Sequence, residues 1–142
     1  MSDLSYNELM QNYVDAPYDV LLDVAMNSLT KVMPFFDRID DNGNGANIVF
    51  PFICVTIAAD GNFSELEYIF LKDVTGQNTS YSEFKDIIQN YYTTSWVNSI
   101  DNLIDSCPDD IRYALLVFCL AFAAVDHHIT SEENAYFRKL LD

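Results

Sequence analysis

Basic residues are scarce in this chain. Seven lysines and arginines stand against 22 aspartates and glutamates, for a formal charge of −15 over 142 residues. Such a surface repels phosphate backbones and anionic membranes, which argues against nucleic-acid binding, and it attracts cations or a protein partner with a basic surface. Cysteine is also sparse. Cys54, Cys107 and Cys119 form an odd set with no C-x-x-C pair. Cys54 and Cys119 lie inside apolar runs and read as buried thiols rather than disulfide partners, as suits a reducing compartment. No basic segment leads into an apolar one near the start, so no signal peptide is expected. The longest apolar runs, 48–59 and 113–125, are too short to cross a bilayer. The expectation is a cytoplasmic protein with no membrane insertion.

Several chemistries lack their residues. There is no Gly-rich phosphate loop and no Ser-His-Asp arrangement that the sequence can support. A carboxylate-bridged di-iron bundle needs Glu-x-x-His on two helices. The residues three before His127 and His128 are Ala124 and Val125. The mid-helix thiols read as buried, which disfavours a cysteine nucleophile. The reading is therefore of a protein that is not an enzyme. Strand signals are missing too: no segment alternates at period two, and no hairpin turn separates β-branched runs.

What remains is helical. Half of the residues are apolar and aromatics are plentiful, so the chain can bury one real core, and disorder is disfavoured. Residues 2–13 offer a short, weak helix. Tyr18, Leu21, Leu22, Ala25, Leu29, Val32, Met33 and Phe36 recur at steps of three and four, the clearest amphipathic helix in the chain. Pro34 should kink or end it. Asp40, Asn42, Asn44 and Gly45 match the first half of a calcium loop, but the twelfth position is Pro51 instead of Glu, so the segment reads as an Asn/Gly turn. Residues 48–59 and 111–125 are apolar on nearly every face, as in helices surrounded by protein. Capping boxes fall at Ser64/Glu67, Ser80/Glu83 and Thr130/Glu133. Leu66, Ile69, Phe70 and Val74 should form the buried face behind the first of them, with Gly76 as a left-handed stop. Ser95 is the expected cap of a helix carrying Trp96, Ile100, Leu103 and Ile104. Pro108, Asp109 and Asp110 mark a further helix start.

The halves repeat at an offset of 66 residues. Val49 falls on Leu115, Phe52 on Phe118, Asp60 on Asp126, Ser64 on Thr130 and Glu67 on Glu133. The fold class that follows is all-α: a compact bundle of about seven helices, with an internal pseudo-twofold repeat of helical hairpins. The two all-apolar helices should pack together at its centre. No linker divides the chain, so residues 1–142 read as a single domain.

The repeated pattern, Ala-Asp-Gly-x-apolar-(Ser/Thr)-x-x-Glu after a buried helix, resembles the TerB family, named for bacterial tellurite resistance. The likeness covers residues 48–71 and 111–141, and the second copy departs from it where His127 replaces Gly. The resemblance implies an all-helical domain linked to stress response, to metal or oxyanion resistance and to assembly with other proteins, with no established catalysis. It makes Asp60, Glu67, Asp126 and Glu133 candidate metal ligands, for a hard cation such as calcium. His127 and His128 could add nitrogen ligands at the second turn. Local roles compete with this. An Asp at a helix end can accept from backbone amides and fix the turn, and a Glu three residues after Ser or Thr can cap its own helix. The functional expectation is a non-catalytic acidic interaction module of a stress-response or tellurite-resistance-like system, open to tuning by a cation. The alternatives are a dedicated divalent-metal-binding protein and a structural partner that docks a basic surface.

Overall fold

The computed structural model describes residues 8, 11–60, 63–76, 78–91 and 93–126. Among them the secondary structure is wholly helical. The helices are α1 (Tyr18–Ile39), α2 (Ala46–Asp60), α3 (Glu65–Thr75), α4 (Tyr81–Tyr91), α5 (Thr94–Ser106) and α6 (Asp109–Ala123), followed by one 3-10 turn, Ala124–Asp126. Buried apolar side chains from every one of these helices join one core cluster. None of the described helices is long and apolar enough to cross a membrane.

The amphipathic period of α1 is realised as read: Leu21, Ala25, Val32 and Phe36 are buried. Pro34 does not end the helix, which runs on to Ile39. A proline removes its own N–H, here the donor to the Thr30 carbonyl, and crowds that carbonyl with its ring, but the buried Val32 and Phe36 on either side keep the helix on its course. The turn that follows is tightly bonded. Asp40 Oδ2 accepts from the amides of Asn42 and Asn44, both at 3.1 Å, and Asp37 Oδ1 accepts from the Gly45 amide at 2.6 Å. The half-match to a calcium loop is thus explained by Asx-type turn bonds. Gly45 is dictated by space: a Cβ there would lie 2.8 Å from Asp37 Oδ1 and 2.9 Å from Asp37 N.

The cap signals hold in most places. Gly76 ends α3 with φ 68°. Pro108 precedes α6, whose first turn carries Asp109 and Asp110. The start of α5 differs: Thr93, not Ser95, caps it by accepting from the Trp96 amide at 3.3 Å. Trp96 consequently sits in the first turn and is 38 % exposed, while Ile100 and Ile104 carry the buried face.

Two expectations about packing need correction. The face of α3 is rotated. Leu66 and Ile69 are exposed, and Glu67, Phe70, Leu71 and Val74 are buried. Those four follow the i, i+3, i+4, i+7 spacing of one stripe. The contact of Phe70, Leu71 and Val74 with the shared core turns that stripe inward, and Glu67 is buried with it while it reaches back to Ser64. The two all-apolar helices, moreover, are not each other's principal neighbours. α6 lies chiefly along α1, and α2 chiefly against α4. Uniform apolarity specifies burial on all sides but carries no information about partners.

Most positions of α2 and α6 matched at the 66-residue offset are alike in burial where both are described. Val49 and Leu115 are both buried, as are Phe52 and Phe118. Asp60 and Asp126 each stand at the last position of a helical segment, but α2 reaches Asp60 as an α-helix, whereas α6 passes into a 3-10 turn before Asp126. The second copy's cap, Thr130 with Glu133, and the helix expected behind it lie outside the described residues, as do positions 61–62 of the first turn, so the expected pair of hairpins is described only in part.

Candidate functional site

The first acidic turn is built from a short list of contacts. Ser64 has extended backbone, φ −78° and ψ 164°, as an N-cap requires. Its Oγ accepts from the Glu67 amide at 3.1 Å, and Glu67 Oε1 accepts from the Ser64 amide at 2.9 Å. Both halves of the capping box are therefore made, and Glu67 is only 4 % exposed. Aromatic side chains hold the turn against α4. The Phe63 ring stacks on Tyr81 with centroids 5.4 Å apart and planes 3° from parallel. The Tyr81 hydroxyl donates to the Phe63 carbonyl, and the Tyr68 hydroxyl donates to the Thr79 carbonyl at 2.7 Å. The sequence signalled the box. It gave no sign of the tyrosine anchors, because their partners are backbone carbonyls brought together by the packing of α3 on α4.

The proposed ligands are distributed unevenly. Glu67 is buried in its cap. Asp60 closes α2 and Asp126 closes the 3-10 turn, but their side chains, like all of Glu133, His127 and His128, lie outside the described part of the structure. Among the described residues, no three His, Cys, Asp or Glu side chains gather where they could hold a metal ion. The three cysteines are buried. Desolvation pushes the Cys54 thiol up to about 12 and raises that of Cys107 as well, with Arg112 partly opposing the rise at Cys107. Neither thiol is poised as a thiolate nucleophile.

A second feature was not legible as a site. An apolar pocket of about 320 Å³ opens where α1, α2 and the end of α3 meet. Met26, Leu29 and Met33 line it from α1, Phe50 and Ile53 from α2, and Val74 from α3. Leu29 and Met33 belong to the stripe read from the sequence. Met26 sits at its edge and is 42 % exposed. The spacing of Met26, Leu29 and Met33, three then four, was an available signal, but core packing explains such a spacing equally well. No charged residue lines the pocket.

The outer face of α1 beside this pocket is acidic. Asp19, Asp23, Met26, Thr30 and Asp37 recur at steps of four, three, four and seven, which aligns them on one face, and all five are exposed. Lys31 and Arg38 each stand one residue further on, about 100° round the helix. The Arg38 guanidinium lies over the Phe35 ring at 5.9 Å. Nearer the start of α1, exposed Asp73 accepts from the Tyr18 hydroxyl, tying α3 to α1. That bond, together with desolvation as the larger cause, raises the Tyr18 hydroxyl well above its ordinary range.

Comparison of the chain with known protein families, with curated proteins and with solved structures finds no match. The likeness to the TerB family therefore rests on the two motifs in the sequence.

Proposed function

We propose that this protein is a non-catalytic acidic interaction module that docks a basic surface of a protein partner. The observation that carries this reading is the net charge of −15 together with the exposed aspartates of α1, Asp19, Asp23 and Asp37. Charge of one sign on a folded surface steers an oppositely charged partner and excludes like-charged ones. The motif resemblance supports placing the module in a stress-response or resistance system. Cation binding at the first turn is the weaker reading, because the cap already engages one oxygen of Glu67.

The test is direct. The intact protein is titrated with a basic peptide and with an acidic peptide of the same length, by calorimetry, from about 0.1 M to about 0.5 M salt. Saturable binding of the basic peptide alone, weakening as salt rises, is the expected outcome. Equal indifference to both peptides at the lower salt concentration defeats the proposal.

A further inference from the structure

We propose that the pocket between α1, α2 and α3 is the anchor point of a basic amphipathic helix, which sets an apolar side chain into the methionine-lined cavity and lays its lysines or arginines along the aspartates of α1. The inference rests on the acidic-module reading and names the partner's chemistry and the seat it occupies.

Three observations converge on it. The first is shape: a cavity of about 320 Å³ has room for a large apolar side chain, and a single apolar stripe of a helix presents such groups at i, i+3 and i+4. The second is composition. Met26 and Met33 are unbranched and polarizable, so they repack around anchors of different shape, the property that suits methionine to adaptable recognition surfaces. The third is charge complementarity. Asp19, Asp23 and Asp37 flank Met26 on the same face of α1, while Lys31 and Arg38 are rotated away from it. α2, which forms the opposite wall, has no charged residue other than its terminal Asp60. A cationic stripe thus meets acid on one side of its anchor and apolar surface on the other.

An acidic amphiphile is excluded by repulsion from the α1 aspartates.

The experiment uses the whole chain and two helical peptides of equal positive charge. One carries leucines on its opposite face and the other carries only glutamine and alanine there. Burying one leucine-sized anchor should tighten binding about tenfold relative to the glutamine peptide. Met26→Gln should remove most of that preference, and its partial exposure makes it a safe substitution for folding. Asp19→Asn with Asp23→Asn should weaken both peptides alike. As a readout without mutation, carbon-13 methyl signals of Met26 and Met33 should shift with the leucine peptide and stay in place with the glutamine peptide. Equal affinity for the two peptides, or an undiminished preference in Met26→Gln, overturns the pocket assignment while leaving the acidic-module reading standing. Failure of both peptides to bind overturns both.

Discussion

The helices α2 and α6 look interchangeable in sequence and are not interchangeable in the fold. Both are almost uncharged beyond their termini, and their matching positions, Val49 with Leu115 and Phe52 with Phe118, are buried alike. Yet α6 is buried at every position from Ala114 to Ala123, whereas α2 begins with exposed Ala46 and Asn47 and gives Phe50 and Ile53 to an open pocket. The same apolar character serves a central strut in one case and a wall with one free flank in the other. An apolar helix records that it is to be removed from water. What removes it, and whether a ligand completes the task, is decided by its neighbours.

That contrast can be broken by truncation. Leu120 in α6 is fully buried, so Leu120→Ala should lower the unfolding free energy by about 3 kcal/mol, the middle of the range for leucine truncation in a packed core. Phe50 in α2 is only half-buried, and Phe50→Ala should lose about half as much. Urea denaturation of both variants checks the ratio. Equal losses would mean that the pocket flank of α2 is as tightly packed as the core around α6.

The join between α1 and α2 offers the next test. Gly45→Ala places a Cβ against backbone as well as the Asp37 carboxylate, so it should cost about 2 kcal/mol by overpacking. Gly43 has φ 72° with open space around it, and Gly43→Ala should cost only about 1 kcal/mol, from backbone strain alone. Thermal melts of the pair separate a close approach from a left-handed turn. If Gly45→Ala is the milder of the two, the turn does not hold α2 against α1 as described.

A smaller effect concerns the cap that orients α3. Ser64→Ala removes the acceptor for the Glu67 amide and should cost about 1 kcal/mol. Because the cap is a local bond, calcium should raise the melting temperature of the variant and of the unmodified protein by no more than matched ionic strength does. A calcium-specific rise that disappears with Asp60→Asn would instead restore the cation reading of this turn.

A further effect, confined to alkaline solution, comes from Cys54 in α2. Burial raises its thiol from the ordinary 9.0 to about 12. Between those values the folded protein keeps a proton that the unfolded chain has released, so stability falls as pH rises. The contribution is full below pH 9.0 and lost as pH passes through about 12. Denaturation midpoints of Cys54→Ala should therefore decline less across that interval than those of the unmodified protein. Cys54 should also resist disulfide-exchange reagents until the protein unfolds.

Much of this molecule is written locally. The periodicity of α1, the box at Ser64 and Glu67, the left-handed Gly76 and the proline before α6 each act within a few residues, so the sequence displays them whole. The burial of α2 and α6 is also legible, because a helix without a polar face has nowhere to lie except inside. Other features depend on surfaces far apart in the chain. Leu66 and Ile69 offered an apolar stripe as plausible as the one α3 uses, and only the packing of Phe70, Leu71 and Val74 into the shared core selected between them. Thr93 displaced Ser95 as a cap because neighbouring residues with similar side chains compete and the geometry before α5 chooses. The tyrosine anchors, the pairing of α6 with α1 and the pocket beside Met26 required three dimensions. Sequence alone determined which segments are helical, that the all-apolar ones leave water, and most of the helix ends, since those are short-range matters of hydration and hydrogen bonding. The tertiary structure decided which apolar faces meet and which one is left open, because the hydrophobic effect is non-directional and favours burial without naming a partner.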